Sequence, residues 1–390
     1  MENQFNNITN NSSSSIEASN QFSNKKTNRL DSFVSISELQ EEAKKLLPKM
    51  AYDYYASGSN DQITLAENEN AFNRIKLVPR SLVDVSKVNT RTKLFGRDIS
   101  TPILIAPWAM QKMASQRGEI DTVEASKEFN TIMTLSSLST TSVEDLSNAS
   151  NGNPGWFQLY VFKDRKISEE LVKRAESIGF TALVLTVDTP FLGKRTADFK
   201  NSFKLPNGLS LKIFERLMLS NLDGGLNQYF ATMIDPSLTW NDLKWLKSIT
   251  KLPILVKGIM CPKDAELALQ YGADGIIVSN HGGRQLDTCP STIEVLPYIS
   301  KVVQGKVPLI LDGGIRRGTD VLKALAYGAN AVCIGRPIIW GLSSGGKDGV
   351  LKVLSLLNSE LQLAMALTGI NKVSDVNNSI IWDQNKYIKL

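Results

Sequence analysis

Eight short apolar runs recur from residue 100 onward: PILIAP (102–107), TIMTLSS (131–137), WFQLYV (156–161), ALVLTVD (182–188), PILVKG (253–258), GIIVSN (275–280), PLILDGG (308–314) and AVCIGR (331–336). Most lack polar alternation and are rich in β-branched residues, the pattern of parallel strands buried on both faces. Between them lie helix-like stretches such as SEELVKRAESIG, CPKDAELALQYGA and RGTDVLKALAYGA, each running to a glycine able to take the left-handed conformation that ends a helix. Strand and helix alternating eight times predicts an α/β fold of the closed (β/α)8 type, a TIM barrel, with an open doubly wound sheet as the competitor. The segments LPILVKG to YGADGIIVSN and VPLILDGG to YGANAVCIGR repeat one strand–helix–strand module, which favours the barrel.

The flanks read differently. Residues 1–30, with NNITNNSSSSIEASN, carry too few apolar side chains to offset the entropy of ordering and are expected to form a disordered tail. The barrel domain is expected over 31–375 and a C-terminal tail over 376–390. Ser35 or Ser37 is placed to cap a first helix bearing Leu39, Ala43, Leu46 and Leu47 on its apolar face, and Gly58 to help end the next segment. Between the fourth and fifth strands the chain makes an excursion from Asp188 to Pro253, much longer than the other connections. Its apolar content reads as a lid over the barrel mouth, with a membrane-surface contact as the alternative.

Composition narrows the function classes. With 42% hydrophobic and 21% charged residues the chain is long enough for a sizeable core. A net charge of +5 without any basic block argues against a nucleic-acid partner. Cys261, Cys289 and Cys333 form no CxxC or Cys/His cluster, so no metal site and a reducing, intracellular compartment are expected. No apolar run of membrane-spanning length is marked, so no stable membrane insertion is expected. The last two residues, Lys389 and Leu390, match the end of the peroxisomal S-K-L address, but Ile388 replaces its small residue, leaving a cytoplasmic or peroxisomal location.

In a barrel of this type the active site forms where the strands end, so the residues closing each run matter most. There stand Pro107, Trp108 and Ala109; Ser136; Gln158 and Tyr160; Thr186 and Asp188; Lys257; Ser279 to Arg284; Asp312 to Arg316; and Gly335 with Arg336. DGGIRRG after the seventh strand and GRP after the eighth combine bare glycine N–H groups with Arg316 and Arg336, a phosphate-binding combination. Lys257 is open to three roles there: a Schiff base, a partner for a carboxylate, or a charge for a bound cofactor. His281 is the only histidine of the chain. Lying in a glycine-rich turn with Arg284 three residues on and Asp188 across the mouth, it suits a general base. The carboxylate would orient it, and the guanidinium would grip a substrate carboxylate.

SNHGGRQLD (279–287) resembles the active-site signature of the FMN-dependent 2-hydroxy acid oxidases and dehydrogenases, the family of glycolate oxidase, lactate oxidase and flavocytochrome b2. LPKMAYDYYASG, TIMTLSSLSTTSVE, FQLYVFKDR, LTVDTPFLGKR and LDGGIRRGTDVLKALAYGA extend the likeness from about Asp31 to residue 370, with the glycolate oxidases most similar. The resemblance implies FMN as cofactor and oxidation of a small 2-hydroxy acid to the 2-oxo acid, with O2 reduced to H2O2. A longer-chain hydroxy acid, or an acceptor other than oxygen, is the alternative.

By the same resemblance His281 is the base and Asp188 stabilises its cation. Arg284 and Arg195 bind the substrate carboxylate with Tyr54, and Tyr160 contacts the substrate hydroxyl. Lys257 lies at the flavin. Pro107, Trp108, Ala109, Ser136, Gln158, Tyr160, Thr186 and Ser279 are implied around the ring and ribityl chain. Asp312, Gly313, Gly314, Ile315, Arg316, Gly335 and Arg336 are implied around ribityl and phosphate. A homotetramer is implied as well. Three positions depart from the family pattern: Trp108, where relatives commonly carry Thr; Leu138, where glycolate oxidases often carry Trp; and Phe191, where others have Arg or Tyr.

Overall fold

The computed structural model describes residues 29–217 and 225–383. Most of the two expected tails, with Lys389 and Leu390, therefore falls outside the described residues. Arg29–Ser32 form a 3-10 turn that buries Leu30. Residues 376–383 are held on the body, with Ile380 and Ile381 buried and Val78 N–H donating to the Ile380 carbonyl.

Each of the eight apolar runs supplies one strand of a closed parallel barrel: Ile103–Trp108, Met133–Leu135, Trp156–Leu159, Ala182–Thr186, Ile254–Ile259, Gly275–Val278, Leu309–Asp312 and Ala331–Ile334. The eighth strand pairs with the first, so the open-sheet alternative is excluded. Register shifts interrupt the pairing after Ile105 and after Lys257. Bulges there bend the strands at the rim, where side chains must turn into the mouth.

Glycines close the helices named above. Arg165–Ser177, Pro262–Gln270 and Gly318–Ala326 run to Gly179, Gly272 and Gly328, all at positive φ. Of the two cap candidates Ser35 serves, its hydroxyl accepting from Glu38 N–H ahead of the helix Ile36–Leu46.

Two features lie outside the strand–helix pattern. The hairpin Thr92–Leu94/Arg97–Ile99 turns through Phe95 and Gly96, both at positive φ. It sends Leu94, Phe95 and Ile99 against the barrel interior, Phe95 meeting Trp156 edge-on at 5.8 Å. That end of the barrel is plugged, so the cleft opens only where the strands end.

The second is the helix Arg336–Leu367, the one helix among the described residues long and apolar enough to cross a membrane by length and composition. It corrects the expectation that no run reaches that length. A break at Gly345–Gly346 divides it, and it packs on the helices Ile36–Leu46, Glu119–Glu128 and Gly318–Ala326. A buried core helix passes the same length test.

The described part of the excursion after the fourth strand contacts residues of the mouth, as a lid does. Phe203 stacks on Tyr54 at 4.6 Å, Phe230 meets Tyr160 at 5.2 Å, and Lys212 N–H donates to the Ser139 carbonyl.

Candidate active site

Strand alternation carries one face of each strand from core to cleft. Trp156, Val184, Leu255, Ile277 and Ile310 fill the barrel interior. Two residues further on, the same face presents Gln158, Thr186, Lys257, Ser279 and Asp312 at the open end. Tyr54 reaches the same place from the helix Lys49–Ala56, and Arg195 from the excursion. Together they bound a cleft with about 910 Å³ of atom-free space, partly open to solvent. Every expected site residue lines it except Asp188 and Ser279, which stand directly behind. Ser279 is fully buried; its hydroxyl accepts from Lys257 Nζ (2.8 Å) and from His281 N–H (3.1 Å).

His281 sits at φ +57°, followed by Gly282 at +62° and Gly283 at +73°. A left-handed conformation at a non-glycine residue costs about 1–2 kcal/mol, so the surroundings must impose it. Ser59 N–H donates to the Gly283 carbonyl (2.8 Å). Gln285 Nε2 donates to the carbonyls of Asp188 (3.0 Å) and Phe191 (2.9 Å). The Asp287 carboxylate accepts from the N–H groups of Asp61 (3.0 Å) and Thr64 (2.9 Å). It thereby caps the helix Ile63–Arg74, whose own N-cap, Gln62, makes no side-chain cap.

The imidazole Nδ1 lies 2.8 Å from Asp188 Oδ1, which also accepts from the Thr189 hydroxyl at 2.7 Å. Gly258 makes room for the carboxylate, since a Cβ there would come within 2.7 Å of the Asp188 Cβ. Burial pushes the Asp188 carboxyl up, but the charges of His281 and Lys257 and hydrogen bonds from His281 and Thr189 outweigh it and hold it at about 2. Burial, with the charges of Lys257 and Arg195, outweighs Asp188 and lowers His281 below the usual histidine value. The imidazole is thus neutral at pH 7. With an ionised acceptor on Nδ1, that nitrogen carries the hydrogen and Nε2 keeps its lone pair.

Cations line the cleft around and beyond this base. Lys257 lies 3.3 Å from Asp312 Oδ2; burial disfavours its charge, but Asp312 and Asp188 outweigh that and raise its value. Arg284 donates to the carbonyls of Tyr54 (2.6 Å) and Ser57 (3.2 Å) and lies over the rings of Tyr54 and Trp108. Arg195 is buried, and burial together with the like charge of Arg284 lowers it to about 10. Arg336 donates to the carbonyls of Tyr55, Ala56, Ser57 and Gly282. Arg316 pairs with Glu69 at 2.7 Å. Five cations against Asp188, Asp198, Asp312 and Glu69 make a site for anions.

Several buried polar atoms in the cleft wall have no partner among the described residues: Gln158 Nε2, Asp312 Oδ1, Arg316 Nε and Trp108 Nε1. Buried polar groups are normally satisfied, so donors and acceptors left open on one surface mark where a polar ligand belongs. Gly313 and Gly314, at φ +99° and +81°, bare their backbone beside Arg316. A phosphate-bearing cofactor with a polar ring edge, such as FMN, fits this set.

Residues 43–383 match the FMN-dependent dehydrogenase family. The chain belongs to that family. It is 92% identical over its full length to the 2-hydroxyacid oxidase of Dictyostelium discoideum, with all of both chains covered. Glycolate oxidase 3 of Arabidopsis thaliana is 52% identical over 361 residues, 91% of this chain and 98% of that one. The crystal structure of mandelate oxidase superposes with a TM-score of 0.83 at 38% identity, covering 89% and 97% of the two chains. Family membership brings FMN as the cofactor.

The departures from the family pattern resolve unequally. The guanidinium groups of Arg284 (5.4 Å) and Arg336 (5.7 Å) both lie over the Trp108 ring, which packs on Gly335, where a Cβ would come within 2.9 Å of it. Leu138 lines the cleft, whereas Phe191 is exposed and its neighbour Leu192 takes the lining position. Leu192 and Phe230 are cleft residues that the sequence pattern does not mark, because they come from the irregular excursion. Thr189 and Glu119 are equally unmarked. Glu119, fully buried, accepts from Gln111 N–H (3.0 Å), Thr140 N–H (2.9 Å) and the Thr141 hydroxyl (2.8 Å), joining the loops behind Trp108 and Ser136.

Proposed function

We propose that this chain is an FMN-dependent 2-hydroxy acid oxidase acting on a small, glycolate-like substrate. His281 carries this reading: its Nδ1 lies 2.8 Å from Asp188 Oδ1, and the residue stands on the wall of the same cleft as Arg195 and Arg284. Arg284 and Arg195 hold the substrate carboxylate, with Tyr54 beside them, and Tyr160 accepts a hydrogen bond from the substrate hydroxyl. His281 takes the proton released at the substrate's C2–OH group, and Asp188 stabilises the imidazolium that results. Gln158, Thr186, Asp312 and Arg316, with the glycines of the last two loops, hold FMN. Lys257 keeps a fixed positive charge at the cofactor's end of the cleft. When bound, FMN supplies the two-electron acceptor; with O2 as final oxidant, hydroxy acid and O2 give 2-oxo acid and H2O2.

An apolar wall of Leu138, Leu192 and Phe230 supports a second reading, an aliphatic substrate longer than glycolate. Peroxide production across glycolate, lactate and longer 2-hydroxy acids separates the two. Slow reoxidation of the flavin by air in stopped flow would move the reading to a dehydrogenase with another acceptor. His281→Gln is expected to retain FMN and lose about 10²- to 10⁴-fold in turnover; near-parental turnover would refute the base assignment. The likeness to the family supports a homotetramer, which sedimentation checks.

A further inference from the structure

We propose that Thr189 is a positioning residue for the Asp188–His281 pair, its hydroxyl setting how strongly the carboxylate accepts from the imidazole and so the basicity of His281. The proposal rests on the reading of His281 as the base. Thr189 is buried, and its hydroxyl lies 2.7 Å from Asp188 Oδ1 and 3.5 Å from His281 Nδ1.

A hydroxyl has one proton to donate and lone pairs with which to accept. An ionised carboxylate only accepts, so the Thr189 proton is committed to Asp188. Asp188 Oδ1 therefore accepts from the Thr189 hydroxyl on one side and from His281 Nδ1–H on the other.

The charged and titratable groups around this pair are few. Asp188 faces His281 and Lys257; His281 faces Asp188, Lys257 and Arg195; Tyr160 faces Asp188, Arg195 and Tyr54. Removing the Thr189 hydroxyl takes one donor from Asp188, so the carboxylate becomes more basic and accepts more strongly from His281. The imidazolium is favoured, and the pH at which the base becomes protonated rises.

Thr189→Val, measured as holoenzyme beside Thr189→Ser and His281→Gln, tests this. The Val variant is expected to keep FMN, to move the acid limb of kcat/KM upward by about 0.5–1 pH unit, and to lower kcat about three- to tenfold with little change in KM. The Ser variant, which keeps the hydroxyl and loses the methyl, is expected to restore the parental profile. An acid limb in the Val variant superimposable on the parent's would overturn the proposal, as would an equal shift in the Ser variant, which would assign the effect to packing. His281→Gln reads the base assignment separately: its failure to lose turnover removes the reading beneath, whatever Thr189 does.

Discussion

The two ends of the cleft hold their charges in different ways. At the end formed by the last two strand loops, Arg336 is bound by four backbone carbonyls, and Gly313 and Gly314 lean on Asn68. Around His281 the contacts run between side chains instead: its imidazole and the Thr189 hydroxyl both meet the Asp188 carboxylate. Backbone carbonyls hold Arg336 in one place without titrating themselves, so that end offers an anion a fixed set of donors. Side-chain partners titrate and exchange protons, which is what the end that moves a proton requires. Binding and chemistry are therefore separable here by substitution.

The largest effect expected is at the reactive end. Asp188→Asn keeps the shape but removes the charge that fixes the imidazole's tautomer and stabilises its cation, so turnover is expected to fall about 10²- to 10⁴-fold. FMN absorbance after purification should be unchanged. Turnover within tenfold of the parent would break the division between the two ends.

Gly314→Ala strikes the opposite end. At φ +81° a side chain there is strained, and its Cβ would come within 1.9 Å of the Asn68 carbonyl oxygen. Conformational and packing costs of about 2–4 kcal/mol together predict FMN affinity weakened by about 10²-fold, read by fluorescence titration of the apoprotein. Turnover per bound FMN should stay close to parental. Parental FMN affinity, or a loss of turnover with FMN fully retained, would contradict the assignment of this end to binding.

Legibility in the sequence follows the same division of local from distant interactions. The strands stand out because burial on both faces demands unbroken apolar runs, and their ends locate the cleft because the alternation that fills the barrel continues to Gln158, Lys257 and Asp312. The glycine turns and the SNHGGRQLD segment are equally local. What is not legible are partnerships between remote positions. Asn68 exchanges two hydrogen bonds with Asn280, and Glu119 reaches Thr140; nothing in a single chain pairs them. The plugging hairpin escapes because its strands are three residues each, below the length at which alternation is read. Leu192 and Phe230 escape because the excursion has no regular period to place them.

Asp287 is the sharpest case of a remote partnership, and it gives the smallest of the expected effects. Its carboxylate lies in the His281 segment yet caps a helix more than 200 positions earlier, so it fixes the seam on which both ends of the cleft rest. Burial raises its carboxyl, but hydrogen bonds from the backbone N–H groups of Thr64, Thr288, Ile63 and Asp61 outweigh that and lower it. A carboxyl lowered by folding contributes stability that is fully present above its unfolded value of about 3.9 and is lost as pH falls through the folded value. Asp287→Ala is therefore expected to cost about 1–2 kcal/mol at neutral pH, a fall in Tm of about 1–3 °C for a chain of this length. The difference from the parent should shrink below about pH 4. Because the seam serves both ends, FMN affinity and turnover should decline together and modestly. A variant that loses one and keeps the other would show that the segment anchors only one end of the cleft.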